Sequence, residues 1–287
     1  MELHMSIFRH PVRSLLFGLL ALYLFIYPGS LVLVALDRVP VWGTWMGGAM
    51  LIMLGTIMGL WLVVNYGRRG MVATALILFI SWFIEHLGST TGFPFGSYSY
   101  TDVLQPKIIG MVPLAIPFAW LLVVPAAVGV TERLLEKGGR VGIATKVMMA
   151  ASFALLLDVT IEPFAVHINN YWTWEYAGGY YGIPMSNFVA WWFTSLILAI
   201  VMLTLIVPRH EWGGRKGLAE VRRARVLPWL PPLLYVLNLT MFVFGNLGHG
   251  QWAAAAIGTL ILAYLAFDWF EPGLVRWVLG KRRESGT

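Results

Sequence analysis

Eight apolar stretches, each long enough or nearly so to cross a membrane as a helix, constrain this chain more than any other feature. They cover residues 12–36, 43–64, 71–87, 108–130, 142–160, 186–207, 226–245 and 251–270. A hydrocarbon layer takes roughly 20 helical residues to cross. The third and fifth runs are the shortest, and each closes on an acidic residue. A soluble helical core of this size needs polar faces that these runs lack. The charged fraction is 12%, where soluble domains carry about a quarter. The last two runs are separated only by Asn246-Leu247-Gly248-His249-Gly250, a stretch suited to a tight helical hairpin. The first run is too long for the apolar part of a cleavable signal, and no small-residue cleavage site follows it. The expected fold is therefore all-α. It is a polytopic integral membrane protein with about eight transmembrane helices, and residues 1–287 form a single helical domain.

The positive charges test that count independently. Lys and Arg gather in cytoplasmic loops, and here they occupy alternate ones. Arg9 and Arg13 precede the first helix, Arg68 and Arg69 follow the second, and Arg133, Lys137 and Arg140 follow the fourth. Arg209, Arg215, Lys216, Arg222, Arg223 and Arg225 follow the sixth, and Arg276, Lys281, Arg282 and Arg283 follow the eighth. Of the 20 basic residues, only Arg38 and Lys107 fall on the opposite side, with Lys146 near the cytoplasmic start of the fifth helix. The expected location is the cell membrane, multi-pass, with both termini cytoplasmic.

The net charge of +6 then reflects basic residues lining one membrane face, where anionic lipid headgroups are the natural partners, and not a nucleic-acid surface. The chain has no cysteine, which removes disulfides, thiolate nucleophiles and cysteine metal sites. Its glycine pairs match neither a Walker nor a dinucleotide loop, which argues against ATP-driven transport by this chain.

The chemistry is sought where polarity is expensive. Two long loops on the non-cytoplasmic side, about 88–107 and 161–185, are poor in Lys and Arg but rich in Tyr, Trp, Gly and Pro. Single aromatics there read as an interfacial belt. The loops as units read as structured lids that fold back over the helices. Glu85 and Asp158 sit at helix ends beside these loops, and Glu162 follows Asp158 by one helical turn, so i,i+4 geometry places both on one face if the helix reaches Pro163. Acids in a membrane span that face the bundle are usually functional. Two carboxyls close together in a dry site do not both ionise readily, which leaves one as an acid and its neighbour as a base. The same acids also fit helix ends wetted by the interface.

His86 and His167 are the local imidazoles. Without HxxH or HExxH spacing they indicate hydrogen bonding or proton transfer as readily as a structural role, and no metal site is expected. Asn169, Asn170, Asn187, Tyr98, Tyr100 and Asp102 are placed to orient water or support the carboxylates. Asn238 reads as a helix–helix contact or a partner for the carbonyl freed by Pro232.

Two functions compete on these residues. One is an enzyme acting on a long apolar substrate. Protonating a trisubstituted terminal double bond puts charge on a tertiary carbon, aromatic faces stabilise that cation, and a carboxylate activates the water that captures it. The other is a proton- or cation-coupled transporter, against which stands the scarcity of polar residues in mid-helix.

The stretches EHLGSTTGFPFGSYSYTDVLQPKIIGMVP (Glu85 to Pro113) and LLLDVTIEPFAVHINNYWTWEYAGGYYGIPMSNFVAWW (Leu155 to Trp192) resemble the carotenoid biosynthesis membrane-protein family. That family includes bacterial carotenoid 1,2-hydratases and haloarchaeal bisanhydrobacterioruberin hydratases. The resemblance runs from the second or third helix to the eighth. It implies a cofactor-independent hydratase adding water across the terminal double bond of an acyclic ψ-end group, as in lycopene, γ-carotene or a C50 precursor. Its partners are then the carotenoid, water, membrane lipids and other enzymes of the pathway. In the first signature Glu85, His86, Tyr98, Tyr100 and Asp102 match. In the second, Asp158, Glu162, His167, Trp172, Trp174, Tyr181 and Asn187 match. The physical reading assigns catalysis to Glu85, Asp158, Glu162, His86 and Asp102, and substrate contact to the others.

Overall fold

The structure, a computed structural model, describes residues 2–136, 141–206 and 225–284, with side chains described from 11 to 269 within those segments. The calls on Lys137, Arg140, Arg209, Arg215, Lys216, Arg222 and Arg223 lie outside the described residues. The side chains of Arg9, Arg276, Lys281, Arg282 and Arg283 do so as well.

Among the described residues eight long helices follow in order: α1 (Glu2–Ala35), α2 (Met46–Tyr66), α3 (Arg68–Thr91), α4 (Ala115–Leu135), α5 (Ile143–Pro163), α6 (Met185–Ile206), α7 (Leu230–Gly248) and α8 (Trp252–Glu284). Each contains a segment apolar enough and long enough to span a bilayer. The chain is an all-α polytopic membrane protein with eight such spans, in agreement with the sequence.

Helix α4 is the hub. It packs against α2, α3, α5, α6 and α7, and its residues from Trp120 to Glu132 are all buried. Helices α1, α3 and α8 carry the outer surface, where Phe25, Phe79, Phe83, Leu260 and Phe267 are exposed, as suits side chains that face lipid. The α2–α4 crossing is close because position 55 is glycine. A Cβ there lies 2.4 Å from the Phe118 carbonyl oxygen, and small residues are what allow membrane helices to approach this closely.

Several boundaries differ from the sequence expectation, each for a local reason. The apolar run from 108 begins as a hairpin, β2 (Lys107–Ile108) with β3 (Val112–Pro113). Ile109 and Gly110 take positive φ at its turn, so α4 starts only at Ala115. Helix α3 continues past 87, its last turn capped by side-chain bonds from Thr90 to the His86 carbonyl and from Thr91 to the Leu87 carbonyl, both 2.7 Å. Gly92, at φ 76°, closes it and donates to the Gly88 carbonyl, the left-handed cap for which glycine is suited. Asn238 is buried, and its amide donates to the Leu234 carbonyl of its own helix, 2.8 Å away, not to the carbonyl freed by Pro232.

Helix α5 does reach Pro163 and then widens into a π-turn over Phe164–Ile168. Proline has no N–H to offer the preceding turn, and the wider turn shifts the register of the bonds that follow. Neighbouring side chains supply the missing donors. Tyr180 Oη donates to the Val159 carbonyl at 2.9 Å, Asn246 Nδ2 to Thr160 at 2.9 Å, and Gln251 Nε2 to Pro163 at 3.2 Å. Glu162 is thus fixed on a helix end that α7, α8 and the loop after the π-turn all brace.

Candidate active site

The two long loops pair with each other. Strand β1 (Tyr98–Tyr100) from the first runs antiparallel to β4 (Trp172–Trp174) from the second, with Tyr98 opposite Trp174, Ser99 opposite Thr173 and Tyr100 opposite Trp172. Residues directly opposite one another project from the same face of a ribbon. The four large aromatics therefore point inward together, and Ser99 and Thr173 point outward and are exposed. Their spacing packs the rings edge to face, with Tyr98 and Tyr100 centroids 5.3 Å apart and Tyr100 and Trp172 at 6.0 Å.

Each inward ring ends in a hydrogen-bond donor, and the donors divide between two acids. Tyr98 Oη and Tyr100 Oη both donate to Glu85 Oε2 at 2.7 Å. Trp172 Nε1 and Trp174 Nε1 donate to Glu162 Oε2 at 3.2 and 3.3 Å. The remaining oxygens are served from the helices. Trp120 Nε1 of α4 donates to Glu85 Oε1 at 2.9 Å, and Asn187 Nδ2 of α6 donates to Glu162 Oε1 at 3.0 Å. Asn187 also reaches Asp158 Oδ2, at 3.4 Å. One amide therefore touches both members of the i,i+4 pair. Glu85, Asp158 and Glu162 are all buried, and Asp158 lies within electrostatic reach of both glutamates.

The phenols are held in their donor form. Burial, reinforced by the Glu85 carboxylate, pushes the Tyr98 and Tyr100 hydroxyls far above the usual phenol range.

The structure thus brings together Glu85, Asp158, Glu162, Tyr98, Tyr100, Trp172, Trp174 and Asn187, and leaves Asp102, His86, His167, Tyr181 and Asn170 outside the cluster. Asp102 is exposed and pairs with Lys107 Nζ at 2.9 Å. That lysine also donates to the Tyr100 carbonyl, so the pair pins the end of the ribbon. The His86 ring stacks on Trp82 of its own helix, centroids 5.5 Å apart, because adjacent helical residues point about 100° apart and Glu85 takes the inward direction. His167 lies at the exposed rim, its Nε2 2.8 Å from the Tyr181 carbonyl oxygen. Tyr181 Oη in turn accepts the Ala253 N–H at the start of α8. Asn170 contributes its backbone, accepting from Thr101 Oγ1 at 2.6 Å.

Trp120 and Trp191 were missed. Their indoles stack with centroids 4.0 Å apart and planes 26° apart, and both are buried. Trp191 follows Asn187 by four residues and so shares its face of α6, a spacing visible in the sequence. Nothing in the sequence around Trp120 distinguishes it from other membrane tryptophans.

Among the described residues no group of three or more His, Asp or Glu is arranged to hold a metal ion.

A family model described as carotenoid biosynthesis protein matches residues 46–265, a range that holds every residue of the carboxylate cluster and leaves out α1. The chain is also similar to a bisanhydrobacterioruberin hydratase of Haloarcula japonica, 29% identical over 219 residues, covering 75% of this chain and 69% of that protein. No solved structure matches the chain.

Proposed function

The chain belongs to the carotenoid biosynthesis protein family, and from that premise we propose that it is a carotenoid hydratase that adds water across the terminal double bond of an acyclic ψ-end group. The observation that carries this reading is the set of three buried carboxyls at one end of a helix bundle, enclosed by indoles and phenols. Hydration of a trisubstituted alkene needs a proton donor, a wall that tolerates a cation, and a group that takes a proton from water. All three residue types are present at one level.

In this mechanism a carboxylic acid of the cluster, Asp158 or Glu85, delivers its proton to the less substituted alkene carbon. The π pair becomes the new C–H bond, and positive charge falls on the tertiary carbon. Aromatic faces attract that charge, each worth roughly 0.5–2 kcal/mol according to desolvation. Water adds its oxygen to the tertiary carbon and gives one proton to a carboxylate, for which Glu162 is the candidate. The product is a 1-hydroxy-1,2-dihydro end group, and passage of that proton from Glu162 back to the acid restores both carboxyls. The similarity to a relative named as a hydratase supports the reaction class.

The same reading places both termini in the cytoplasm and the carboxylate cluster near the outer face. Arg68, Arg69, Arg133 and Lys146 support this, because they lie at the ends of α3, α4 and α5 remote from the cluster. A cysteine-free chain makes the test simple. A reagent that does not cross membranes should label Ser99→Cys and spare Gly142→Cys in intact cells, and the reverse pattern inverts the topology.

The activity test incubates the purified protein in lipid vesicles with lycopene, γ-carotene or an acyclic C50 carotenoid in isotopically labelled water. One labelled water per altered end group, read by chromatography and mass spectrometry, is the expected result. Unchanged pigment from folded protein overturns the hydratase reading for these substrates and brings transport forward.

A further inference from the structure

We propose that Asp158 is the acid of the cluster, and that Glu85 and Glu162 are carboxylates locked in that form by the donors around them. The inference deepens the hydratase reading and takes its catalytic meaning from it, but it rests on which hydrogens face which oxygens.

An indole N–H donates and cannot accept, whereas a carboxylic O–H needs an acceptor. Glu162 Oε2 faces two indoles, Trp172 and Trp174, and Glu162 Oε1 faces the Asn187 amide N–H. A proton on either oxygen points at a hydrogen. Glu85 Oε1 faces the Trp120 indole, and its Oε2 receives two phenol hydrogens at 2.7 Å; a proton on Oε2 would have to turn one of those phenols from donor to acceptor and so cost one of the three bonds. An ionised carboxylate has about four lone-pair sites. Three are filled at each glutamate, and the fourth is left for water.

Asp158 is the opposite case. It is 0% exposed, its Oδ1 has no hydrogen-bond partner, and its Oδ2 has only the 3.4 Å contact from Asn187. A third anion at this position, with only that one long donor contact and within reach of two others, is the costliest arrangement the site offers. The neutral acid is the cheaper form, and its proton sits on Oδ1, the one carboxyl oxygen of the cluster that no donor hydrogen faces; no protein acceptor holds it there either, so the O–H is free to turn toward a substrate.

The roles follow with atoms conserved. The Asp158 O–H bond breaks, its proton goes to the alkene, and the O–H pair stays on Asp158. The new aspartate then faces the tertiary cation as its counter-ion. Water held at the open site of Glu162 adds to the cation, and the proton it releases returns to the cluster to restore Asp158. Only Asp158, to which the ribbon donates nothing, can cycle in this way without dismantling the ribbon.

Infrared difference spectroscopy of the reconstituted protein without carotenoid tests the assignment apart from turnover. The C=O stretch of a buried carboxylic acid, shifted in deuterated water, should be present in the wild type and in Glu85→Gln and Glu162→Gln, and should be missing in Asp158→Asn. Asp158→Glu should keep such a band, showing that loss is not a folding artefact. Loss of the band in Glu85→Gln or Glu162→Gln, or its persistence in Asp158→Asn, overturns the proposal. If the protein also hydrates carotenoids, Asp158→Asn should lose at least about 100-fold in turnover, the lower range for a general acid, with Asp158→Glu retaining measurable activity. A correct band pattern with no hydration in any form sinks the hydratase reading and leaves the proton assignment standing.

Discussion

Tyr98 and Trp174 lie directly opposite each other across the β1–β4 ribbon, with ring centroids 5.2 Å apart, yet they donate to different acids, Tyr98 to Glu85 on α3 and Trp174 to Glu162 on α5. One two-stranded unit therefore holds two helices at a fixed separation through their carboxylates. The ribbon is more than a cover, because the acids it covers are also what it is bonded to. A substitution on either strand should be felt at both.

The phenols give the first prediction. Tyr100→Phe removes a donor from Glu85 Oε2 and leaves the other at 2.7 Å. A hydrogen bond to a charged group is worth about 1.5–3 kcal/mol, so the variant should unfold in detergent at lower temperature while retaining its helices by circular dichroism. The two buried phenols also set an alkaline limit. Because burial and Glu85 raise both hydroxyls above their unfolded value, the folded state holds protons that the unfolded state releases. The phenols' contribution to stability should thus be flat through neutral pH and fall as pH rises past about 10, the ordinary phenol value. That fall should be shallower in Tyr100→Phe. An identical alkaline profile in the variant sinks the idea.

The α2–α4 crossing gives the second. A Cβ at Gly55 lies 2.4 Å from a backbone oxygen and 2.8 Å from the Phe118 Cβ, and neither is the far end of a flexible side chain. Gly55→Ala should therefore destabilise by about 1–3 kcal/mol, the usual cost of overpacking. Gly18, in α1, has nothing within 4 Å of its Cβ position, so Gly18→Ala should be neutral or slightly stabilising. Thermal unfolding of the two variants side by side separates crossing geometry from helix propensity, and equal effects refute the close approach.

How much of this was legible beforehand follows from the kind of force involved. Apolar runs of spanning length report the solvent directly, so the eight helices could be read from composition and spacing. Glu85, Asp158 and Glu162 could be read as well, because a carboxyl at the end of an apolar run is costly enough to need a reason. The pairing of 98–100 with 172–174 could not. Three-residue strands far apart in sequence carry no periodicity, and the register that aims four rings inward is set by tertiary closure. The same holds for Trp120, whose partner Glu85 is 35 positions away. Asp102 misled because its acidity is local: an exposed ion pair with Lys107 looks, in sequence, like one more site carboxylate.

At the other end of the bundle Arg225 makes a bidentate pair with Glu132, Nη2 to Oε1 being 3.0 Å, and lies over the rings of Trp61 and Tyr66 at 5.9 and 5.5 Å. Both side chains are nearly buried, at 11% and 5% exposure. Removing one partner strands a charge, so Glu132→Gln and Arg225→Leu should each destabilise by about 3–5 kcal/mol, whereas an apolar replacement of both should recover much of that. Glu132 lies twelve residues along α4 from Trp120, about 18 Å at 1.5 Å per residue. Folded single variants should therefore retain the wild-type rate per molecule. A double replacement as unstable as either single one contradicts the stranded-charge account.

The ribbon itself gives the sharpest test. If Tyr98 and Trp174 act as one unit, the effects of Tyr98→Phe and Trp174→Phe should not add. Either change loosens the strand pair and so weakens both carboxylates' support, leaving less for the second change to remove. A double-mutant cycle on thermal stability should give a coupling energy of about 0.5–3 kcal/mol, the range for residues in one network. Ser99→Ala and Thr173→Ala sit at the same level of the ribbon but face outward, and each should stay within about 0.5 kcal/mol of wild type. Additive losses at Tyr98 and Trp174 would mean that Glu85 and Glu162 are supported separately, and that the two strands merely lie side by side.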